Sequence, residues 1–442
     1  MLRSERRVVI TGLGIITPVG IGPEAYWSSL TQGRGGVRRI SAFEVGDLPN
    51  NIGGEIAEFD SKSWFKSFAL PEHRKTLSKS QKYMARDIQL AVAAAELAMI
   101  DAGLAHGGVE PTRLGVDLGA GLISSELDEL APAINSASEA TGTFDYRTWG
   151  REGIPQIPPT WLLKYLPNML ACHISILLNC QGPSNTITEA EASSNLAIGE
   201  AARIIARGRA DVMISGGADS KIHPLSLVRM SLLDQMSRWR GDPSGACKPF
   251  DRRRDGWVPG EGAGILILEE RDHALGRGAR SYGEVLGFGS GCDANPGGGL
   301  DPSGAGTEIA LQAALRDAGL EPGQIGHVNA HGGATVVSDL AEARAIQRVF
   351  GPGRSVPVTA LKGFMGNVGA GCGAVELIGS LLGVGRHAIP PALNCDEPDP
   401  TCGLDVVHGA PRPTDHPTFL KTNLTRHGQA AALVIRGEPA SA

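Results

Sequence analysis

Short apolar runs alternate with longer segments of helical periodicity along this chain. The apolar run at residues 7–11 predicts a buried strand, and Gly12-Leu13-Gly14 predicts the turn that ends it. Residues 85–102 carry apolar side chains at helical spacing and precede Gly103, a residue type that commonly ends helices. The same reasoning predicts strands at residues 114–119, 210–215 and 264–268, and a helix at residues 193–207.

This order of elements begins again in the second part of the chain. Strands are predicted at residues 281–288, 327–330 and 433–435, and helices at residues 306–318, 341–350 and 374–382. Alternation of strands and helices predicts an α/β fold with mostly parallel sheets. We expect two duplicated halves, residues 1–270 and 271–442, on the order of elements alone, because the halves share no recognisable sequence identity.

Charge and composition exclude some functions. The chain has 42% apolar and 20% charged residues, as an ordinary globular protein does. Its net charge of −6 makes nucleic acid a poor candidate for a partner. The cluster Arg252-Arg253-Arg254 is interpreted as a solvated loop with local ion pairs, and a site for an acidic partner is the alternative.

Cysteine usage and the termini indicate the compartment. The seven cysteines are an odd number, and no two of them form a C-x-x-C pair. This pattern predicts neither a disulfide framework nor a metal site, and it favours reduced thiols. No basic and apolar leader precedes the first strand, and no run of about 18 apolar residues is present to span a membrane. We therefore expect a cytoplasmic protein with no membrane association.

A series of short motifs covers nearly the whole chain in a fixed order. The motifs are Val8-Val9-Ile10-Thr11-Gly12-Leu13-Gly14, Thr17-Pro18-Val19-Gly20, Leu166-Pro167-Asn168-Met169, Gly182-Pro183-Ser184, Ala197-Ile198-Gly199-Glu200-Ala201, Gly216-Gly217-Ala218-Asp219, Pro249-Phe250-Asp251, Asp255-Gly256, Gly260-Glu261-Gly262-Ala263-Gly264, Asn329-Ala330-His331-Gly332 and Gly373-Ala374-Val375-Glu376. Each is weak alone, but together the motifs resemble the β-ketoacyl-acyl-carrier-protein synthase family. The resemblance implies a thiolase-like α/β fold whose duplicated halves form α-β-α-β-α layers, with an active site at their junction and no cofactor or metal.

The resemblance also locates the family's nucleophile. The reaction needs a thiolate that carries the acyl chain, two imidazoles that promote decarboxylation, and backbone N–H groups that hold the oxyanion. The family's Thr-Ala-Cys-Ala-Thr-Ser stretch aligns with residues 189–194, counting back from Ala197-Ile198-Gly199, and its cysteine falls on Glu191. A carboxylate oxygen cannot replace the sulfur, because an acyl anhydride is far more reactive than a thioester. We therefore expect that Glu191 does not accept an acyl chain.

The two histidine positions differ in how well they are kept. The first histidine motif is intact and contains His331. The second histidine normally follows a lysine by five residues; here Lys362 is present, but the fifth residue after it is Asn367. An amide donates a hydrogen bond to an enolate oxygen but does not shuttle a proton. Cys172, Cys180 and Cys372 are poor substitutes for the nucleophile, because none is expected at a helix start and free cysteine commonly serves as a small buried hydrophobe.

Supporting residues follow from the same resemblance. Asp339, Glu342 and Glu376 match the family's supporting acids, and the simpler interpretation is helix capping and ion pairing with a buried Lys362. The family's Gly-Phe-Gly-Gly turn, whose phenylalanine gates the pocket, aligns with residues 425–428. Its gate positions are therefore Arg426 and His427, both of them bulky and polar.

Loss of the nucleophile with retention of the scaffold is similar to the chain-length factor of type II polyketide synthases. That resemblance implies a non-elongating subunit, which forms a heterodimer with an active ketosynthase, binds acyl carrier protein, and helps set chain length in polyketide or polyene synthesis. Residues 119–125 and 154–167 are the expected tunnel segments. The commoner replacement in this class is glutamine, so the glutamate leaves the product class open.

Two alternatives remain at this level. In the first, Glu191 and His331 act together as a malonyl-carrier-protein decarboxylase or as an atypical acyltransferase, although a negative Glu191 would repel the malonyl carboxylate. In the second, the protein is a non-catalytic homodimer that binds acyl carrier protein. Glu191 is also open to a purely structural interpretation, as a carboxylate at a helix N-terminus or as a partner of His331.

Overall fold

A large sheet forms the centre of the molecule in a computed structural model, which describes residues 6–46, 48, 51–67, 69–138, 142–233, 235–295, 297–351 and 355–439. The strands are β1 (Val8–Thr17), β2 (Gly20–Ile21), β3 (Val37–Arg39), β4 (Ile52–Gly54), β5 (Leu114–Ala120), β6 (Ser184–Ile187), β7 (Val212–Ser220), β8 (Glu261–Glu270), β9 (Gly283–Cys292), β10 (His327–Asn329), β11 (Pro357–Thr359), β12 (Ala388–Ile389), β13 (Asp405–Val406), β14 (Arg412–Pro413), β15 (Thr418–Leu424) and β16 (Gln429–Gly437).

Helices of varied length connect and cover these strands. They are α1 (Pro23–Thr31), α2 (Ser61–Ser67), α3 (Arg74–Ser80), α4 (Arg86–Asp101), α5 (Leu127–Ser136), α6 (Tyr146–Thr148), α7 (Trp161–Tyr165), α8 (Met169–Leu178), α9 (Ser193–Ala206), α10 (Pro224–Leu233), α11 (Arg271–Gly276), α12 (Ala305–Ala318), α13 (Val336–Phe350), α14 (Lys362–Met365) and α15 (Cys372–Val384). Most of the longer elements predicted from the sequence are present, with ends that differ by a few residues.

The sheet repeats one strand order in each half of the chain. From the centre outwards, the first half runs β1-β8-β7-β5-β6 and the second runs β9-β16-β15-β10-β11-β13. In each half one strand, β8 or β16, is antiparallel to its neighbours, and the others share one direction. The duplicated, mostly parallel arrangement predicted from element order is thereby confirmed. The exact division at residue 270 stays a prediction, and residues 1–5 and 440–442 lie outside the described residues.

Helices are layered on both faces of the two half-sheets. α4 packs on β1, β7 and β8, and α12 packs in the equivalent way on β9 and β16. Between the half-sheets lie α9, on β5 and β7, and α15, on β8 and β15, with the two helices in contact. This gives the expected α-β-α-β-α order, and it directs the N-termini of α9 and α15 towards one another.

The predicted turn at Gly12-Leu13-Gly14 is wrong, because β1 continues through it to Thr17. The two glycines serve close packing instead. A Cβ on Gly14 would lie 1.9 Å from the carbonyl oxygen of Ala94, and one on Gly12 would lie 2.4 Å from that of Ala98. Glycine is therefore required here for the approach of α4 to the strand, and not for a reversal of the chain.

No helix among the described residues combines the length and the apolar character needed to cross a membrane.

Candidate active site

Two helix N-termini bring the degenerate catalytic positions together. Glu191 lies in a 3₁₀ turn, Ala190–Ala192, that leads directly into α9. Asn367 precedes a similar turn, Gly369–Gly371, that leads into α15. The Nδ2 group of Asn367 donates a hydrogen bond of 3.0 Å to Oε1 of Glu191. The positions that the sequence assigns to the nucleophile and to the second histidine therefore hold a bonded carboxylate–amide pair.

The side-chain amide of Asn367 has a fixed orientation. Its Oδ1 accepts hydrogen bonds from the backbone N–H of Gly369, at 3.0 Å, and from the Cys372 thiol, at 3.2 Å. Both of these partners are donors, so the NH₂ group must be the one that faces Glu191. This amide does not gain or lose a proton near neutral pH, and it supplies a donor where the family's chemistry uses an imidazole.

Cys372 is the first residue of α15, so the expectation that none of the three cysteines starts a helix is wrong for this one. Its side chain is fully buried, and burial together with the nearby charges of Glu376 and Glu191 raises the pKa of the thiol despite an opposing effect of Lys362. Burial also raises the pKa of Cys180, to about 12. A protonated thiol is a weak nucleophile. Cys372 therefore acts here as a hydrogen-bond donor to Asn367.

His331 is held as a neutral imidazole with a defined tautomer. Its Nδ1 accepts from Nζ of Lys362 and from Nδ2 of Asn423, both at 3.2 Å. Burial, followed by the charges of Lys362 and Lys421, holds the pKa of His331 well below its usual value. Because Nδ1 accepts, the ring hydrogen resides on Nε2, which is then available as a donor. His331 and Glu191 thus bond to different partners, and the suggested pairing between them is replaced by the Glu191–Asn367 bond.

Glu342 fixes the backbone that carries the histidine. Its two carboxylate oxygens accept from the backbone N–H groups of His331, at 2.7 Å, and of Gly332, at 2.9 Å. Burial raises the pKa of Glu342 to about 7, against the opposing effect of these hydrogen bonds. The residue has the supporting position that the sequence predicts for it, but its partners are backbone groups and not Lys362.

Asp339 fixes the following part of the same loop. Its carboxylate accepts from the backbone N–H of Ala334, at 3.0 Å, and of Phe250, at 2.8 Å. Both residues have left-handed backbone conformations, with φ of 61° and 60°. Arg254 lies 3.6 Å from the same carboxylate, and burial raises the pKa of Asp339 to about 6. The expected ion pair with Lys362 is therefore absent, and a buried member of the arginine cluster takes its place.

Glu376 forms the predicted ion pair and a second one that the sequence did not reveal. Its oxygens lie 2.6 Å from Nζ of Lys362 and 2.7 Å from Nζ of Lys421, and all three side chains are buried. Burial lowers the pKa of Lys421, whereas surrounding negative charges raise that of Lys362 in spite of burial. Lys421 lies in the fully buried strand β15. An ionisable residue in a buried strand is the one sequence signal that could have indicated a role for it.

A third cation, Lys221, is largely buried and interacts with Glu191. Lys221 pairs with Asp219 at 2.7 Å, and Asp219 also accepts from the backbone N–H of Ala370 at 3.0 Å. Burial opposes the charge on Lys221, but the charges of Asp219, Asp87 and Glu191 raise its pKa overall. Lys221 follows a family motif in the sequence and was not predicted as a site residue. It places a positive charge close enough to Glu191 for the two side chains to interact.

The remaining predicted residues lie at the surface. Arg426 and His427 are exposed in the turn between β15 and β16, where Nε of Arg426 bonds His427 at 3.0 Å and Nη1 donates to the carbonyl of Leu233 at 2.8 Å. Their gating role stays a prediction. The backbone N–H of Glu126, the residue after the first expected tunnel segment, donates to Tyr165 of the second segment at 3.1 Å. The role of both segments stays a prediction.

Taken together, this geometry supports binding but not acyl loading. Three kinds of group that can stabilise negative charge are present: a neutral His331, the amide of Asn367 and the buried lysines. The thiolate and the second proton-transfer group are both replaced. The described site therefore keeps the frame of a condensing centre around a carboxylate that cannot form a thioester.

Comparisons with known proteins give the family. Residues 5–274 match the model of the beta-ketoacyl synthase N-terminal domain, and residues 282–396 match that of the C-terminal domain. A 3-oxoacyl-[acyl-carrier-protein] synthase 2 of Synechocystis sp. is 35% identical over 411 residues, which are 92% of each chain. The fold is accordingly the thiolase-like fold expected from the motifs.

Solved structures agree with this assignment. The ishigamide ketosynthase/chain length factor superposes with a TM-score of 0.82 and 29% identity, over 98% of this chain and 99% of that one. A type II polyketide synthase ketosynthase bound to its acyl-carrier protein, AntDE:AntF, superposes with a TM-score of 0.82 and 27% identity, with the same coverage. From its domains, its relatives and its fold, the chain belongs to the beta-ketoacyl synthase family.

Proposed function

We propose that this chain is a non-elongating, chain-length-factor-type subunit that pairs with an active ketosynthase in type II polyketide or polyene synthesis. The observation that carries the proposal is the Glu191–Asn367 hydrogen bond, which occupies two catalytic positions with groups that neither load acyl chains nor transfer protons. The Synechocystis relative named above is by name a 3-oxoacyl-[acyl-carrier-protein] synthase, so the proposal rests on these substitutions and not on overall similarity.

The surface supports pairing with another subunit. Strand β6 is a sheet edge with exposed residues at Ser184 and Asn185. Ile176, on the adjacent α8, is 71% exposed, and further apolar side chains are exposed at Leu122, Leu162 and Leu163. Unpaired edges and contiguous exposed apolar groups mark association surfaces. One solved neighbour is by its title a ketosynthase with a chain length factor, which is the kind of assembly we propose here.

A basic surface supports binding of acyl carrier protein. Exposed lysines at Lys62, Lys66, Lys75, Lys79 and Lys82 lie on and beside α2 and α3, in a protein of net charge −6. This separation of charge steers an acidic partner towards one face. We propose that the carrier protein docks there, and that the assembly is cytoplasmic.

The pairing is tested by co-expression with an active type II ketosynthase that retains the Cys-His-His set. We expect a stable one-to-one complex in size-exclusion chromatography with native mass spectrometry. Ile176→Glu should weaken the complex, because it places a charge in the apolar contact, whereas Leu275→Glu, at a 59% exposed position on α11, should not. If the chain instead forms a soluble homodimer that does not bind the ketosynthase, the proposal is contradicted. That result would favour the alternative of a non-catalytic homodimer that binds acyl carrier protein.

Residual decarboxylation is the second candidate, and the state of His331 favours it. A neutral imidazole with a free Nε2–H can stabilise the enolate that forms when malonyl-carrier protein loses carbon dioxide. Carbon dioxide release that is abolished by His331→Ala would establish this activity for Glu191 and His331, or point to a related acyl transfer. If the mixed dimer releases no more carbon dioxide than its ketosynthase subunit alone, this second candidate function is excluded.

A further inference from the structure

An acidic residue is buried without a partner just behind the exposed sheet edge. Asp117 of β5 pairs in register with Asn185 of the edge strand β6 on one side and with Ser215 of β7 on the other. The residue is 0% exposed. Within the described part of the chain, neither oxygen of Asp117 meets the geometry of a hydrogen bond, and neither does Oγ of Ser215; the neighbouring Asn185 side chain opposes, only in part, the rise in the pKa of Asp117. Buried carboxylates are rarely left in this state.

The face of the sheet that holds Asp117 is the one covered by α9. A Cβ on Gly119, two residues further along β5, would lie 2.5 Å from the backbone nitrogen of Ser194 in that helix. Glu200 is also on α9, and its charge, after the larger effect of burial, raises the pKa of Asp117 to about 7. The one cation bonded to Glu200 among the described residues, Arg207, lies 2.6 Å away at the surface. Asp117 and Glu200 are thus two interacting acids near β6, with no buried cation bonded to either of them among the described residues.

We infer that Asp117 and Glu200 receive a cationic side chain of the ketosynthase partner across the edge of β6, and that the same two acids disfavour pairing of this chain with a second copy of itself. The inference rests on the proposed function, because it names what that partner must supply. Because Asp117 is enclosed and the side chain of Glu200 is 36% exposed, a guanidinium or ammonium group would donate to Glu200 and neutralise the negative charge that acts on Asp117.

A second copy cannot meet this need. Strands are about 4.8 Å apart, so antiparallel pairing of two β6 edges would place the two Asp117 side chains about 14 Å apart, one strand inward on each side. Each would bring its own Glu200, and Arg207 is already bonded there. Once ionised, the two buried Asp117 carboxylates would repel one another beneath one continuous sheet, with no buried cation between them among the described residues. A like-charged juxtaposition of this kind selects against the wrong partner.

The test compares the mixed dimer with self-association for three single variants. Asp117→Asn keeps the shape of the side chain, removes the charge and adds a donor. We expect it to weaken the mixed dimer at least about tenfold and to strengthen self-association at least about tenfold, in sedimentation equilibrium of the intact chain with and without the co-expressed ketosynthase. Glu200→Gln, at a partly exposed position, should change both constants in the same directions. Asp272→Asn, at an 84% exposed side chain, is the control and should change neither.

The outcomes separate this inference from the proposed function. If the wild-type chain forms no mixed dimer, the proposed function itself fails. If the mixed dimer forms but Asp117→Asn and Glu200→Gln both leave the two constants within twofold of wild type, only the inference is overturned. Should Asp117→Asn fail to fold, the Glu200→Gln result alone decides, because that side chain is at the surface.

Discussion

The amide of Asn367 donates a 3.0 Å hydrogen bond to the carboxylate of Glu191, across the junction of two helix N-termini. The bond is reinforced from behind, since Oδ1 of Asn367 is occupied by the backbone of Gly369 and by the thiol of Cys372. Glu191 and Asn367 are therefore coupled, and a change at one position alone does not rebuild a condensing centre.

Restoring the nucleophile alone should restore little activity. With Glu191→Cys we expect condensation that is roughly a hundredfold or more slower than with Glu191→Cys combined with Asn367→His, because the second imidazole supplies general acid–base catalysis. Both variants are assayed without the partner ketosynthase, and Asn367→His alone is the inactive control. Equal rates for the single and the double variant would show that the second histidine position is dispensable.

Removing the acid shared by two lysines should strongly destabilise the protein. Glu376→Gln leaves Lys362 and Lys421 buried without their common counter-ion, and we expect a loss of about 3–5 kcal/mol in the free energy of unfolding. Thermal and denaturant unfolding measure this loss. Glu24→Gln is the matched control: Glu24 pairs with Arg386 at an 82% exposed position, and the change should be below about 1 kcal/mol. Similar losses in both variants would contradict the account of the buried network.

Stability of the isolated chain should fall as the pH rises from about 4 to about 7. Burial raises the pKa of Asp117 from 3.8 to about 7, so the native protein holds a proton that the unfolded chain has released. This contribution is fully present below pH 3.8 and is lost as the pH rises through 7, with a slope of up to about 1.4 kcal/mol per pH unit. Asp117→Asn should flatten the dependence between about pH 4 and pH 7, the interval between the pKa values of Asp117 in the unfolded and the native chain. An unchanged slope would show that Asp117 is not protonated in the native state.

Reversing the basic face should weaken carrier-protein binding. Replacing Lys66, Lys75 and Lys79 with glutamate removes three exposed cations, each of which contributes roughly 0.5 kcal/mol to an ion pair. We expect at least about tenfold weaker binding of acyl carrier protein, measured by calorimetry at low salt, with a smaller difference at high salt. The control replaces Arg316, Arg271 and Arg229, cations elsewhere on the chain, and should retain binding.

Much of the fold followed from sequence because its signals are local and periodic. The strand–helix alternation predicted the duplicated halves, and residues 85–102 gave α4 almost to its ends. The turn predicted at Gly12-Leu13-Gly14 was wrong, because glycine is common both in turns and where a helix packs closely on a strand. The position of α4 decides between the two. Such long-range packing cannot be inferred from the neighbours of a residue along the chain.

The candidate site was predictable only where a motif carried it. Family spacing led to Glu191, His331, Lys362 and Asn367, but it gave no sign of Lys421, which a strand 45 residues beyond Glu376 brings to the same carboxylate. The pairing of Asn367 with Glu191 was also not expected, because a hydrogen bond between two helix N-termini depends on the junction of the halves.

Acyl loading is the central question, and the intact mass of the two subunits answers it directly. The mixed dimer is incubated with acylated carrier protein, and each subunit is then weighed by mass spectrometry. We predict an acyl adduct on the ketosynthase and none on this chain, because Glu191 cannot hold a thioester. A covalent acyl adduct on this chain would contradict the account.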